Sequence, residues 1–405
     1  MFALIQKYIK IESKSIKIVE DIMLRWSVIF LFVVLIQAGV AFGGPIDNLK
    51  PGEWYEVPNS VLDKSGVLPN PLPPGDTGPA AIMSAWSGGA YDTKRDRLVV
   101  WGGGHGDYGG NEIYVFDINT LKWSRIWGPS SNIPAPGATS CSETYSDGNP
   151  ASRHTYDGLV YHAASDKFWA SGGSLYCGSG GGSSGTWMFD FATSKWTREA
   201  NALGSQVTAM SDHDPSTGVV FSMVQSGTLG AYDPKTNAWT NRGNGTGWGE
   251  FDPARTMVYH PGKKILLIIG GGTILTYDIT QSKPSPQTLA TTGGGAIVSA
   301  QGPGLAYDPT IDRIVAWSGG GSDVYSLDIN SRTWTKYTAS NSVIPPSPSD
   351  TKGTYGRWRY IPSKNAYIAV NGTENNVFFY KLSSGSGTPP DATPPGPPKN
   401  PRTIN

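Results

Sequence analysis

Two short stretches gather the side chains best suited to chemistry. Gly104–Glu112 is a polar loop carrying His105, Asp107, Tyr108, Asn111 and Glu112, and Ser152–Tyr156 carries Arg153 and His154. Imidazole changes charge near neutral pH, so His105 and His154 are candidate general acids or bases. Tyr108 can give up a proton, and Arg153 can neutralise an anion. Further along stand Tyr176, Trp248, Glu250, Asp252, Gln301, Tyr355, Arg357 and Trp358. Their aromatic faces could stack on sugar rings, and their polar groups could bond hydroxyls. Two histidines with Asp107 or Glu112 have the donor types a divalent metal needs, but the pattern assigns no metal site. Plainer roles stand beside these. His105, following three glycines, can simply bond a neighbouring loop, and Arg153 can pair with Asp107 or Glu112. Asp212-His213-Asp214 reads as a turn, and His162 and His260 as repeat residues in equivalent turns.

What must position these side chains is a repeat. Arg97–Trp101 is a β-branched run, ended by Gly102–Gly104. Runs of the same kind are Arg97–Gly104, Lys167–Ser174, Gly218–Gln225, Lys264–Gly272, Arg313–Gly321 and Ala366–Thr373. Each follows a short strand ending in Tyr or Met: Tyr91, Tyr161, Met210, Tyr259, Tyr307 and Tyr360. A second signature, Asp-x5-Trp, occurs as Asp117/Trp123, Asp190/Trp196, Asp233/Trp239 and Asp328/Trp334, while Asp278 is followed by Pro284 instead. The aspartate should cap a hairpin turn and the tryptophan should pack between sheets. A period near 50 residues with four strands per unit predicts an all-β propeller of six blades.

The glycine doublets Gly103-Gly104, Gly172-Gly173, Gly270-Gly271 and Gly319-Gly320, with the Tyr and Trp positions that follow, resemble the kelch repeat of the galactose oxidase central-domain-like superfamily. The resemblance covers about Gly52–Leu382. It implies a fold rather than a function, because kelch propellers include both enzymes and binding scaffolds. The sixth repeat has no Trp strand of its own. Gly52–Val57, GEWYEV, matches Lys122-Trp123-Ser124 and should close the ring as the outer strand of blade six. Meander geometry then sorts the loops. His105 and His154 fall on one face of the ring, with Tyr176, Trp248, Gln301, Tyr355 and Arg357. His162, His213 and His260 fall on the other.

The chain is expected to divide into a signal peptide (1–43), a propeller (44–382) and a Pro/Gly/Ser-rich tail (383–405). Trp26–Phe42 is an apolar run behind Arg25, and Ala41-Phe42-Gly43 suits a signal peptidase. Met23 would make a more ordinary start than Met1. In an exported chain Cys141 and Cys177 should form a disulfide tethering the Gly128–Pro150 insertion over the mouth. Lys+Arg 32 balances Asp+Glu 32, which argues against a nucleic-acid partner. The mature chain reads as a secreted, periplasmic or surface monomer without stable membrane insertion. Its expected partner is an extracellular glycan or protein bound at the channel mouth. A glycan-active lyase is the alternative, with Arg153 or Arg357 as the cation, His154 as the base and Tyr108 or His105 as the acid. A copper radical enzyme of the galactose oxidase kind would need a cysteine that the disulfide consumes. Nothing in the residues names a cofactor.

Overall fold

Each Asp-x5-Trp repeat folds as one antiparallel sheet. The computed structural model describes residues 43–224, 227–243, 252–348 and 352–382, with Met1, Ala3 and Met23 as isolated positions. The chain divides into two units, Met1–Asn48 and Leu49–Asn405. The expected signal peptide and C-terminal tail lie almost wholly outside the described residues. No helix among the described residues is long and apolar enough to cross a membrane.

The second unit holds six four-stranded sheets. Blade one runs Gly89–Asp92, Arg97–Val100, Ile113–Asp117 and Lys122–Trp127, paired in that order. The innermost strands of the six blades are Gly89–Asp92, Leu159–His162, Ser211–His213, Arg255–His260, Gly304–Asp308 and Trp358–Ile361. Each contacts the next, and the sixth returns to the first, so the ring is closed. Blade six takes its outer strand from the other end of the unit, with Trp54 opposite Tyr380 and Glu56 opposite Phe378. The Trp54 ring lies 4.9 Å from Tyr380 and 5.6 Å from Trp317, and its Nε1 donates to the Ser322 carbonyl of blade five.

Most of the repeat residues find the partners their chemistry requires, although the buried Trp196 Nε1 has none among the described residues. Asp117, Asp190, Asp233, Asp278 and Asp328 each accept backbone N–H bonds from residues two or three positions on, which fixes the outer hairpin. Trp123, Trp239 and Trp334 donate Nε1 to Ser60, Ala200 and Thr291, stitching each blade to the one before it. Where blade four has Pro284, its outer strand shrinks to Gln287–Thr288. The inner hairpins carry another device. The hydroxyls of Tyr91, Tyr161, Tyr307 and Tyr360 each donate to the Asp or Asn five residues on, and those residues all sit at positive φ. Between blades the core is aliphatic and aromatic. Val99, Trp101 and Val115 meet Leu159, Phe168 and Ala170, for example. Each Val, Leu or Phe among them contributes about 1.5–3 kcal/mol on burial.

Candidate functional site

Blade one turns from its second to its third strand through Gly104–Gly109. Gly104 has φ 73°, and a Cβ there would collide with the backbone of Arg153 and His154. Close approach of the two stretches is therefore built into the glycine. The Gly104 N–H donates to the Ser152 hydroxyl, which itself donates to the Tyr108 carbonyl. Arg153-His154 forms a two-residue ladder with Ser174-Leu175, ahead of blade two proper. The outcome is that the two mouth histidines meet, with ring centroids 5.9 Å apart and edges to faces.

His154 is the centre of the arrangement. It is 3% exposed, and its Nε2 lies 2.9 Å from Asp107 Oδ2. Burial works to raise the Asp107 carboxyl, but bonds from His154 and Thr77 and the nearby Lys352 ammonium hold it below its ordinary value. Burial pushes the His154 imidazole down, against the pull of Asp107, with His105 and Lys352 adding to the depression. An ionised carboxylate can only accept, so Nε2 carries the proton in the neutral ring and Nδ1 keeps its lone pair. Among the described residues nothing hydrogen-bonds Nδ1. A buried, neutral, oriented imidazole of this kind is equipped to take a proton at neutral pH.

Rings crowd around it. Trp86 lies 5.2 Å from His154 and Tyr156 lies 6.1 Å, with Tyr355 a further 6.1 Å from Tyr156. The Lys352 ammonium is 5.2 Å from the centre of the Trp86 ring. Trp86, His105, Tyr156 and Tyr355 have φ of 46°, 45°, 45° and 49°. Bulky residues seldom adopt this left-handed region, and each costs on the order of 1–3 kcal/mol. The other non-glycine residues at positive φ are mainly Asn, Asp and Ser in turns. Four strained aromatic residues in one cluster mark a place where geometry outranks local comfort. Burial also raises the Tyr156 phenol, which keeps its proton.

The remaining candidates are placed as follows. His105 is exposed beside His154. Arg153 is buried, and its guanidinium donates to the carbonyls of Ala151, Gly172 and Glu143 and to the Ser183 hydroxyl. Its nearest carboxylate is Glu143 of the insertion, at 3.6 Å, rather than Asp107 or Glu112. Arg357 is buried likewise on the carbonyls of Ser87, Val370 and Gly353, and burial lowers it to about 10. Tyr108 is buried and donates to Glu112, whose carboxyl burial raises. Asn111 clamps the insertion through Ser130 and Pro150. Tyr176, Tyr355 and Trp358 are buried, so their faces are packed. Tyr355 reaches across to donate to the Pro253 carbonyl. Gln301 is exposed. Trp248 and Glu250 lie outside the described residues, and Asp252 pairs with Arg255. Cys141 and Cys177 form a disulfide, tying the insertion to the blade-two loop.

On the opposite face the His162 and His213 rings are 6.2 Å apart. Asp212 accepts from the Tyr259 N–H and Asp214 from the Ser216 N–H, so the acidic pair serves the sheet and a turn. No group of three or more His, Cys, Asp or Glu side chains among the described residues is placed to hold a metal ion.

Sequence reasoning passed over Thr77, Trp86 and Lys352. Thr77 and Trp86 precede the first repeat, and Lys352 stands between the fifth and the sixth. The clue that existed is the Trp86-Ser87-Gly88-Gly89 run leading into the first inner strand.

No family model matches the chain, and no curated protein matches it. Among solved structures, a structural genomics protein of unknown function from Bacteroides thetaiotaomicron is similar at 11% identity and a TM-score of 0.48, covering 81% of this chain and 75% of that one. The class defined by the strands themselves is a six-bladed β-propeller.

Proposed function

We propose that this chain is an exported kelch-type propeller whose channel mouth takes an extracellular glycan and acts on it by proton transfer. The observation that carries the reading is His154: neutral, buried, and held by Asp107 through Nε2. The disulfide and the apolar run ahead of Ala41-Phe42-Gly43 support export. Hydrolysis of a glycosidic bond ordinarily needs two carboxyl groups across the bond. Here the carboxylate beside His154 is already engaged by His154 and Thr77. An imidazole base suits elimination on a uronate sugar instead. His154 Nδ1 takes the C5 proton, the C5–H electrons form the C4=C5 double bond, and the C4–O bond breaks. The leaving oxygen is protonated by an acid such as His105. The Lys352 ammonium, over the Trp86 ring and close enough to Asp107 to lower its carboxyl, is the cation assigned to the uronate carboxylate.

Binding without chemistry is the second reading, and Trp86 favours it. It is a half-buried indole at the mouth, able to take a sugar face. A panel of neutral and uronate polysaccharides separates the two. Formation of unsaturated product, read by ultraviolet absorbance and lost in His154→Ala, is the result expected. Saturable binding with no product from any polymer would leave a binding module. Neither product nor binding would sink both readings.

A further inference from the structure

The segment before the first repeat does more than lead into it. Pro74–Gly78 lies along the Gly104–Gly109 loop as a strap. The N–H groups of Asp76, Thr77 and Gly78 donate to the carbonyls of Gly106 and Asp107, and the Gly109 N–H donates back to Pro74. Tyr176 adds a bond from its hydroxyl to the same Pro74 carbonyl. Gly75 packs against the backbone of Asp107 and Tyr108 so closely that a Cβ would not fit. Four backbone bonds fix the loop, so none of them needs a side chain. Thr77 nonetheless spends its side chain on this loop: its Oγ1 donates to Asp107 Oδ1 at 2.6 Å. Asp107 Oδ2 is the oxygen on His154.

From this geometry we infer that Thr77 is a positioning residue for the His154 base, acting through Asp107. A carboxylate with one hydrogen bond can rotate about its Cβ–Cγ bond. Held at Oδ1 by Thr77, it presents Oδ2 to Nε2 and so fixes the ring and its tautomer. Three oriented groups in series, hydroxyl to carboxylate to imidazole, leave Nδ1 as the working atom. The inference rests on the proton-transfer reading for its functional meaning, but its structural core is testable without activity.

The test is a histidine titration by nuclear magnetic resonance on the full chain, with the His154 signal assigned by its loss in His154→Gln. The groups facing this imidazole are Asp107, His105, Lys352 and Tyr156, and none of them is altered. In Thr77→Val the carboxylate loses its second donor, is free to turn away from Nε2, and holds the imidazolium less strongly. The His154 midpoint should fall by about 0.5, while Thr77→Ser should titrate like the parent. A Thr77→Val protein titrating like the parent overturns the inference, and so does a Thr77→Ser protein shifted as far as Thr77→Val. If a uronate polymer is converted, Thr77→Val should lower kcat about tenfold at unchanged KM. A shifted midpoint with no polymer converted upholds the positioning role and removes the lyase reading. A converted polymer with an unshifted midpoint does the reverse.

Discussion

The two faces of this ring are built from the same strands and follow different rules. On the face of the inner and outer hairpins, the solution is repeated. An aspartate caps the turn in five blades, and a tyrosine hydroxyl reaches a left-handed Asp or Asn in four inner hairpins. Positive φ falls there mainly on Asp, Asn and Ser, with Leu121, Lys264 and Arg332 as exceptions. On the mouth face the glycine doublets recur, but the residues with chemistry do not. Positive φ falls on Trp86, His105, Tyr156 and Tyr355, two arginines are buried on carbonyls, and an insertion is tied down by a disulfide. Residues that recur serve the fold, whereas departures from the repeat collect around the oriented His154–Asp107 pair.

The strongest test of this contrast removes histidines from one face and then from the other. A His105→Ala/His154→Ala protein should keep its melting temperature within a few degrees and lose about 10²–10⁴-fold in rate on any converted glycan. A His213→Ala/His260→Ala protein should keep its rate. Loss in the second and not the first would reverse the assignment of the faces.

Next in size is the disulfide. It closes a loop of 36 residues, for which the chain-entropy model gives about 3–4 kcal/mol. Reduction should therefore loosen the insertion and lower stability in denaturant by an amount of that order. Alkylation without reductant should label neither cysteine. Labelling of both in exported protein would remove this distinction between the faces.

Acid should affect both faces, which sharpens the contrast by showing what they share. Burial holds His154, His162 and His260 below the ordinary imidazole value. The unfolded chain protonates these groups near pH 6.5, and the folded chain only at lower pH. Below about pH 6.5 the unfolded state thus carries more protons, so stability falls as the pH drops through the folded values. Melting temperature should decline between about pH 7 and pH 5. His154→Gln and His260→Gln should each flatten the slope. A level profile in the parent would refute the expectation.

The smallest effect is expected from one repeated turn. Asp117→Ala removes two N–H bonds and one hydroxyl bond from an exposed hairpin. It should cost about 1 kcal/mol, read from the denaturant midpoint, with no change in rate. A large loss of activity would show that the two faces are coupled.

The ring was legible because its signals are periodic. Asp-x5-Trp, the Tyr-ended strands and the Trp54 segment each state a local need that recurs, and together they predicted six blades and the closing strand. Loop parity likewise brought His105 and His154 to one place. What could not be read was the state of each polar head. Arg153 and Arg357 look identical in sequence to free cations, and only the fold supplies the carbonyls that consume them. Tyr108 and Tyr355 look like a proton donor and a stacking face until burial is known. Trp86 and Tyr156 carry no mark of a left-handed backbone, because that conformation is imposed by neighbours and opposed by their own preference. The Tyr-x4-Asx spacing was the exception: it was present in plain view and is as regular as Asp-x5-Trp.

The closing strand also dictates an order of events. Ser60 bonds Asn376 across 316 residues, and Trp54 cannot meet Tyr380 before the sixth blade has been made. During synthesis the Trp54–Glu56 strand must wait unpaired until Phe378–Tyr380 has been made. Chain topologies dominated by such distant pairings fold slowly. Once shut, however, the two ends of the ring lock each other. Fraying from either end must break the same four-stranded sheet, so the ring should be slow both to assemble and to open.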